Sequence, residues 1–227
     1  MHVRDALLSR GSTRAFLPDP VPRAMVERIL DAARHAPSGS NIQPWRVHVV
    51  AGSARDALCA EVRAAAAAGA EPAWPYHYYP VTWRDPYLAR RRACGWGLYS
   101  LLGIARGDRA AGDAQRLRNF ELFGAPVGLF FYVDADLELG SWLDCGMFVQ
   151  SVMLAARGEG LHTCPQAAWL PFHGIVSRRL GVPPDQRLVT GMALGHADPD
   201  APVNGYRPAR EPVSAFATFH PAAGEGA

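Results

Sequence analysis

The chain has 227 residues, of which 49% are hydrophobic and 19% charged, and its formal net charge is +2. That length suits one large domain or two small ones and supports a core of ordinary size. A charge so near balance gives no case for nucleic-acid or membrane binding. No uninterrupted run of about 18 apolar residues marks a membrane span, and the opening MHVRDALLSRGSTR lacks the apolar centre of a signal peptide. The expectation is a soluble, cytoplasmic protein. The four cysteines, Cys59, Cys94, Cys145 and Cys164, lie far apart and form no CxxC pair. Neither zinc ligation nor a disulfide framework is expected, and all four read as buried, reduced thiols.

In chain order, residues 2–9 read as a short helix and PRAMVERILDAARH (22–35) as a clearer one. Pro22 suits a first helical turn, and Met25, Ile29 and Ala32 or Ala33 form an apolar stripe at helical spacing. RVHVVA (46–51) is β-branched and alternating, hence a strand, and an alanine-rich helix follows over about 53–68. The stretch AEPAWPYHYYPVTWRDP (70–86) holds four prolines and five aromatic side chains, so it reads as a loop with an aromatic load. Helices are expected over 87–105 and 110–122, then a buried strand at PVGLFFYVD (126–134).

SWLDCGMFVQSVMLAARG (141–158) reads as a helix with Ser141 as its N-cap. It is apolar around most of its circumference, so it should be buried on all sides or lie in a subunit interface. A short strand near 163–168, a helix near 171–180 and a strand at 187–195 complete the regular elements. The tail from 198 onward is Pro-rich and extended. Helices first, then strands separated by helices, indicate α+β or α/β with one central sheet. No GxGxxG follows a strand and no GxxxxGK[ST] occurs, so no Rossmann or P-loop site is expected.

Four segments carry polar groups suited to a ligand. SRGSTRAF (9–16) places Arg10 and Arg14 around Gly11 and Ser12 in the turn after the first helix. Forked guanidinium donors and a hydroxyl suit a phosphate, although the octapeptide alone also fits an exposed basic turn. APSGSNIQPW (36–45) concentrates Pro37, Ser38, Gly39, Asn41 and Gln43 in one loop. Its amides offer donor and acceptor together, matching a heterocycle edge, and Pro44 turns Gln43 away from helical geometry. The alternative is a polar turn capping the preceding helix. TCPQAAW (163–169) sets Pro165, Gln166, Ala167 and Ala168 at a strand end, where small side chains let a ligand approach backbone N–H groups. GYRPAREPV (205–213) carries Arg207 and Arg210 in the tail.

Taken together and in this order, with GLHTCPQAAW following the long apolar helix and an R-x-P arginine in the tail, these segments resemble the nitroreductase family of FMN-dependent oxidoreductases. The resemblance covers nearly the whole chain. The central stretches RRRACGWGLYSLLGIARGD, FGAPVGLFFYVD and GSWLDCGMFVQSVMLAARGEGLHTCPQAAW are most similar to the branch acting on nitrobenzoates and related nitroaromatics.

The resemblance implies an α+β, nitroreductase-like fold: a central mixed β-sheet flanked by helices, in an intertwined homodimer with FMN at the interface. It implies a single FMN-binding domain over 1–227, with 70–86 as an aromatic loop or lid and 198–227 as an extended tail. Arg10, Gly11 and Ser12 match residues holding the FMN phosphate, and Arg14 matches a basic contact to the ribityl chain or the N1–O2 edge. Arg210, with Arg207 as second candidate, matches the tail arginine that closes on the phosphate. Pro37, Ser38, Gly39 and Asn41 match the loop that reaches the isoalloxazine from the partner subunit. Pro165, Gln166, Ala167 and Ala168 match the segment whose backbone N–H lies near flavin N5. Many members carry Glu-Gly where this chain has Ala167-Ala168, which keeps a backbone donor and removes the acidic side chain. The mid-chain ribityl contact common in the family has no match here.

The implied activity is ping-pong reduction of a nitroaromatic, nitrobenzoate-like acceptor by NADH or NADPH, down to nitroso and hydroxylamine. Enone reduction, reductive dehalogenation or substrate oxidation on the same cofactor are alternatives, as is a non-catalytic flavin carrier. Because the cofactor carries the electron chemistry, no catalytic triad or metal is expected, and Ala167 contributes only its backbone near N5. Trp74, Tyr76 and Trp83 could cover a planar substrate, and Arg91, or its neighbours Arg90 and Arg92, could pair with a substrate carboxylate. His77, in the same loop, is the one histidine worth substituting.

Overall fold

The computed structural model describes residues 1–220; the end of the expected tail, 221–227, lies outside the described residues. Four strands, β1 (Arg46–Ala51), β2 (Val127–Asp134), β3 (His162–Gln166) and β4 (Gln186–Gly195), form one sheet in the order β1-β2-β4-β3. Every strand pair is antiparallel. The parallel component of the expected mixed sheet is confined, among the described residues, to isolated bridges, one of which joins Ser12 to Thr163 beside β3.

Seven helices surround the sheet: α1 (Val3–Ser9), α2 (Arg23–Ala33), α3 (Gly52–Ala67), α4 (Tyr87–Leu101), α5 (Arg109–Leu117), α6 (Leu139–Gly158) and α7 (His173–Leu180). The alternation of β2 sorts them into two layers. Leu129, Phe131 and Val133 point to one face, where α2 supplies Val26, Ile29 and Ala33 and α6 supplies Cys145, Phe148 and Val152. Phe130 and Tyr132 point to the other, toward Leu58 and Val62 of α3 and Val176 of α7. Each such fully buried aliphatic side chain contributes about 1.5–3 kcal/mol of transfer free energy. The 26, 29, 33 spacing is the apolar stripe of α2, shifted by one residue from the Met25 expected to lead it. Gly191 on β4 is required by this packing, because a Cβ there would stand 2.6 Å from Cδ1 of the buried Trp169.

Three expectations are corrected. Ser141 does not cap α6: the helix begins at Leu139 after Glu138, and the N–H of Ser141 already donates to the Glu138 carbonyl, so Ser141 is a buried first-turn residue. The helix expected over 110–122 ends at Leu117 and continues as a tight 3₁₀ stretch, in which Leu122 and Phe123 take φ of 52° and 54°. Both side chains are thereby buried against α3 and β2, and packing overrides helix propensity. Cys94 is exposed, whereas Cys59, Cys145 and Cys164 are buried as expected.

The all-round apolar α6 is buried on one side only. Leu139 and Leu143 are 82% and 69% exposed on the other, and Leu7 and Leu8 of α1 are exposed as well. By length and a mean hydropathy of 1.2, α6 is the one described helix that could cross a membrane, and 44% of that window is buried inside the fold. Helix α4 has no buried residue. The 70–86 segment that precedes it is the expected irregular loop, pinned at Ala73 by the N–H donated to the Pro171 carbonyl at 3.0 Å.

Candidate functional site

The chain leaving α1 runs alongside β3. Arg10 closes α1 by donating its N–H to the Ala6 carbonyl, and the Thr13 N–H donates to the Thr163 carbonyl at 3.0 Å. Ser12 is thereby bridged to Thr163. The tail returns to the same place through Asn204. Its carboxamide oxygen accepts from the N–H groups of Arg14 (2.8 Å) and Ala15 (3.2 Å), and its NH₂ donates to the carbonyls of Ala15 (2.7 Å) and Asp198 (2.9 Å). One side chain thus ties the N-terminal segment to the tail, and sequence reasoning had passed over it.

The result is a cleft of about 500 Å³ lined by Arg10, Gly11, Ser12, Arg14, Arg207 and Arg210, together with Leu7, Leu8, Cys94, Gln150, Tyr206 and Pro208. Every residue expected at the phosphate end is here, although the first and last of them are 200 positions apart in sequence. Ten other ion pairs occur among the described residues, but none involves these four arginines. Their guanidinium groups rest on main-chain carbonyls: Arg14 on Ser12 at 3.1 Å, Arg207 on Asn204 at 2.9 Å and Arg210 on Pro208 at 2.9 Å. Arg10 reaches only the Met153 sulfur, at 3.8 Å. Its pKa is lowered from the ordinary value, first by burial and then by the charge of Arg210; Cys164 acts the other way, and Arg207 adds a smaller lowering. A cluster of like charges without counter-ions is complementary to an anion.

The tail arginines are held over the cleft by helix α4. The Tyr206 hydroxyl donates to the Cys94 carbonyl at 2.9 Å, and Gly97 admits the ring, since a Cβ there would lie 2.6 Å from that hydroxyl. Arg90 pairs with Glu211 at 2.9 Å across the same contact, so it is engaged with the tail. Sequence reasoning placed neither Tyr206 nor Cys94.

Residues 165–168 continue from the same β3 register. Ala167 lies four residues beyond Thr163, roughly 13 Å along an extended strand. The Gln166 side chain turns away from the cleft into the core. Its Nε2 donates to the Asn119 carbonyl at 2.8 Å, and its Oε1 accepts from Trp169 Nε1 at 3.3 Å. It braces the Ala167–Trp169 turn, where Ala167 and Ala168 are half-buried against the core.

The 37–41 loop does not line the arginine cleft of its own chain. Pro37 borders a separate, shallow depression formed by Trp142, Leu143, Gly146, Met147 and Gln150, and Gln150 alone belongs to both hollows. Ser40, Asn41 and Gln43 have φ of 49°, 58° and 50°. Such left-handed geometry in non-glycine residues costs on the order of 1 kcal/mol each and clusters at functional sites. Internal bonds hold it: Ser38 Oγ accepts from the Gln43 N–H at 3.0 Å, and Gln43 Nε2 donates to the Asn41 carbonyl at 3.1 Å. Asp144 of α6 accepts from the Gly39 N–H at 3.1 Å.

The aromatic loop also stands apart from the cleft. The Tyr76 hydroxyl donates to the Val189 carbonyl at 2.6 Å, and its ring packs edge-on to Trp142, so Tyr76 anchors the loop. Burial raises its pKa well above the ordinary phenol value. Arg91 stacks over Trp83 at 4.5 Å and Tyr79 at 5.4 Å, while Trp74 is 46% exposed. The buried thiols are held protonated at neutral pH: burial pushes Cys164 up to about 11 and Cys145 up to about 12. No cluster that could hold a metal ion occurs among the described residues.

An α+β protein with an uncompensated cationic cleft beside a sheet edge, and a preset loop lying apart from it, is the class these observations define. The profile of the nitroreductase family matches residues 7–196, and the chain belongs to that family. It is similar to the 4-nitrobenzoate reductase of Pseudomonas putida, at 41% identity over 93% of this chain and 92% of that protein. It is similar to the nitrobenzene nitroreductase of Ectopseudomonas oleovorans, at 39% over 96% of each. Among solved structures, the FMN and NADPH-dependent nitroreductase NfnB from Sphigopyxis sp. strain HMH superposes with a TM-score of 0.95 at 40% identity, covering 97% of this chain and all of that one.

Proposed function

We propose that the chain is an FMN-dependent oxidoreductase that takes reducing equivalents from NADH or NADPH and passes them, in a ping-pong cycle, to a nitroaromatic of nitrobenzoate-like class. The observation that carries this reading is the set of four arginines around Gly11 and Ser12 that have no carboxylate partner among the described residues. A phosphate monoester brings nearly two negative charges and three acceptor oxygens, which this donor set fits. FMN, when bound, supplies the electron transfer between nicotinamide and nitro group. The chain's own residues bind and tune. Arg10, Ser12, Arg207 and Arg210 hold the phosphate, and Gly11 leaves room for Arg207, whose Nη1 would lie 3.2 Å from a Cβ at that position. Arg14, fixed by Asn204 and the Ser12 carbonyl, places a cation where negative charge on a bound ring is stabilised. The backbone of Pro165–Ala168 forms the wall farther along β3.

The remaining wall belongs to a second copy. Pro37, Ser38, Gly39 and Asn41 lie away from their own cleft, and the exposed Leu139 and Leu143 of α6 and Leu7 and Leu8 of α1 leave an apolar surface suited to a homodimer. In that assembly the single domain completes two sites, and Trp74, Trp83 and Arg91 border the acceptor. Four unpaired cysteines are consistent with a cytoplasmic setting.

The test is the absorbance spectrum of the purified protein, an anaerobic titration with NADH and with NADPH, and reoxidation by 4-nitrobenzoate, nitrobenzene and an enone. A colourless protein that takes up no FMN ends the cofactor assignment. Reoxidation by the enone but by neither nitro compound ends the acceptor assignment.

A further inference from the structure

Asp144 is a carboxylate on the most apolar helix of the molecule, 6% exposed and flanked by the fully buried Cys145. Burying a charge without a cation is unfavourable unless hydrogen bonds compensate it. The bond found here runs to the Gly39 N–H, 105 positions away, at 3.1 Å. One turn farther along α6, Phe148 stacks on Trp45 with centroids 4.6 Å apart and planes 5° from parallel. Asp144 and Phe148 are four residues apart and so share a face of the helix. They grip the two ends of the 38–45 segment, the same segment in which Ser40, Asn41 and Gln43 hold left-handed backbone angles. Left-handed angles in three non-glycine residues persist only where surrounding contacts over-determine them.

We infer that Asp144 is a positioning residue for the reaction: its carboxylate sets the Ser38–Asn41 loop through the Gly39 N–H, so that the Asn41 amide meets the cofactor edge in one orientation. This role rests on the FMN reading above. The clamp itself does not, and the two are read out separately.

In the full-length FMN-free protein, hydrogen exchange is followed at residues 38–43 in wild type, Asp144→Ala and Asp144→Asn. The alanine variant is expected to exchange faster at Gly39 and Gln43, and the asparagine variant, which keeps an acceptor, to stay near wild type. In the FMN-loaded proteins, Asp144→Ala is expected to shift the flavin absorbance band and to lower kcat with 4-nitrobenzoate about tenfold through misplacement of the loop. FMN affinity should change little, because the arginine cleft is untouched, and Asp144→Asn should restore most of the loss.

Gly39→Pro serves if the alanine variant does not fold. It deletes the N–H donor and leaves the carboxylate, and Ser38, at φ −146° and ψ 151°, already has the extended geometry that a following proline requires. Unchanged exchange in the variant that folds overturns the clamp. Faster exchange with an unaltered flavin band and kcat overturns the positioning role. A wild-type protein that takes up no FMN removes the functional reading and this role with it, while the exchange result still decides the clamp.

Discussion

The arginine cleft and the Ser38–Asn41 loop are built on opposite principles. The cleft gathers like charges, burial and then the charge of Arg210 lower the pKa of Arg10, and the tail arginines rest on main-chain carbonyls of neighbouring tail residues. The loop is formally neutral, left-handed at Ser40 and Asn41 and again at the adjoining Gln43, and closed by the N–H groups of Gln43 and Gly39 donating to Ser38 Oγ and the Asp144 carboxylate. An unsatisfied cluster of charge gains most when its counter-ion arrives, so under the proposed function the cleft sets how tightly the ligand is held. A preset loop gains little on binding and loses little, so under the proposed function it sets where the ligand's ring sits.

Substitutions should separate the two. The largest effect is expected in the cleft: Arg10→Ala and Arg210→Ala should each weaken FMN retention by about 1.5–3 kcal/mol, as for hydrogen bonds to charged groups. The half-buried Arg10 should stand at the upper end. Quenching of FMN fluorescence on titration measures this, and unchanged affinity in both variants places the phosphate elsewhere.

Acid should act on the same side of the molecule. Burial, then the charges of Arg157, His196 and Arg207, lower His162 from 6.5 to about 4. The unfolded chain therefore takes up this proton first. The stability this neutral imidazole contributes is present in full above about pH 6.5 and is lost as pH falls toward 4. Complete loss amounts to no more than about 2 kcal/mol once solvent screening is allowed for. Thermal melts of wild type and His162→Gln across that window should converge at low pH. Parallel curves would show that His162 is not the titrating group.

Tyr206→Phe removes the hydroxyl bond to the Cys94 carbonyl and should loosen the tail by about 0.5–1.5 kcal/mol. The loss should appear as weaker FMN retention with kcat at saturating FMN preserved. A fall in kcat instead would mean that the tail shapes the ring site too.

The smallest effect should come from the loop and carry the opposite sign in stability. Ser40→Gly relieves a left-handed residue at φ 49° and should raise stability by about 0.5 kcal/mol, the left-handed penalty less the entropy of glycine. Turnover should fall as the loop loses its preset form. A variant both less stable and fully active would refute the strained-loop description.

How much of this was legible depended on the range of the interaction. SRGSTRAF and the tail arginines each fit an exposed basic segment when taken alone; their residue types suit a phosphate, and their order along the chain, through the family resemblance, is what marked them as its binding set. The residues that assemble the site were silent. Asn204 reads as a turn residue, yet it ties the tail to Arg14. Gly97 reads as a helix defect, yet it makes room for Tyr206. Asp144 is the lone acid on an apolar helix, a signal in itself, but nothing local connects it to Gly39. Ser141 looked like a cap because it is a capping residue type, whereas the first turn of α6 had already formed upstream of it.

The sequence by itself determined most of the periodic elements, the buried character of β2 and which segments carry donors suited to an anion. These follow from hydrophobic spacing and donor type, which act over a few residues. Only the tertiary structure decided that α5 breaks before Leu122 and Phe123 so that both can be buried, that Gln166 faces inward to brace its turn, and that α6 leaves Leu139 and Leu143 uncovered. It also set the 37–41 loop apart from its own cleft. Each of these outcomes is a competition between local preference and burial against distant residues, and burying a large side chain, worth about 1.5–3 kcal/mol, outweighs both the few tenths of a kcal/mol of helix propensity and the roughly 1 kcal/mol of a left-handed residue.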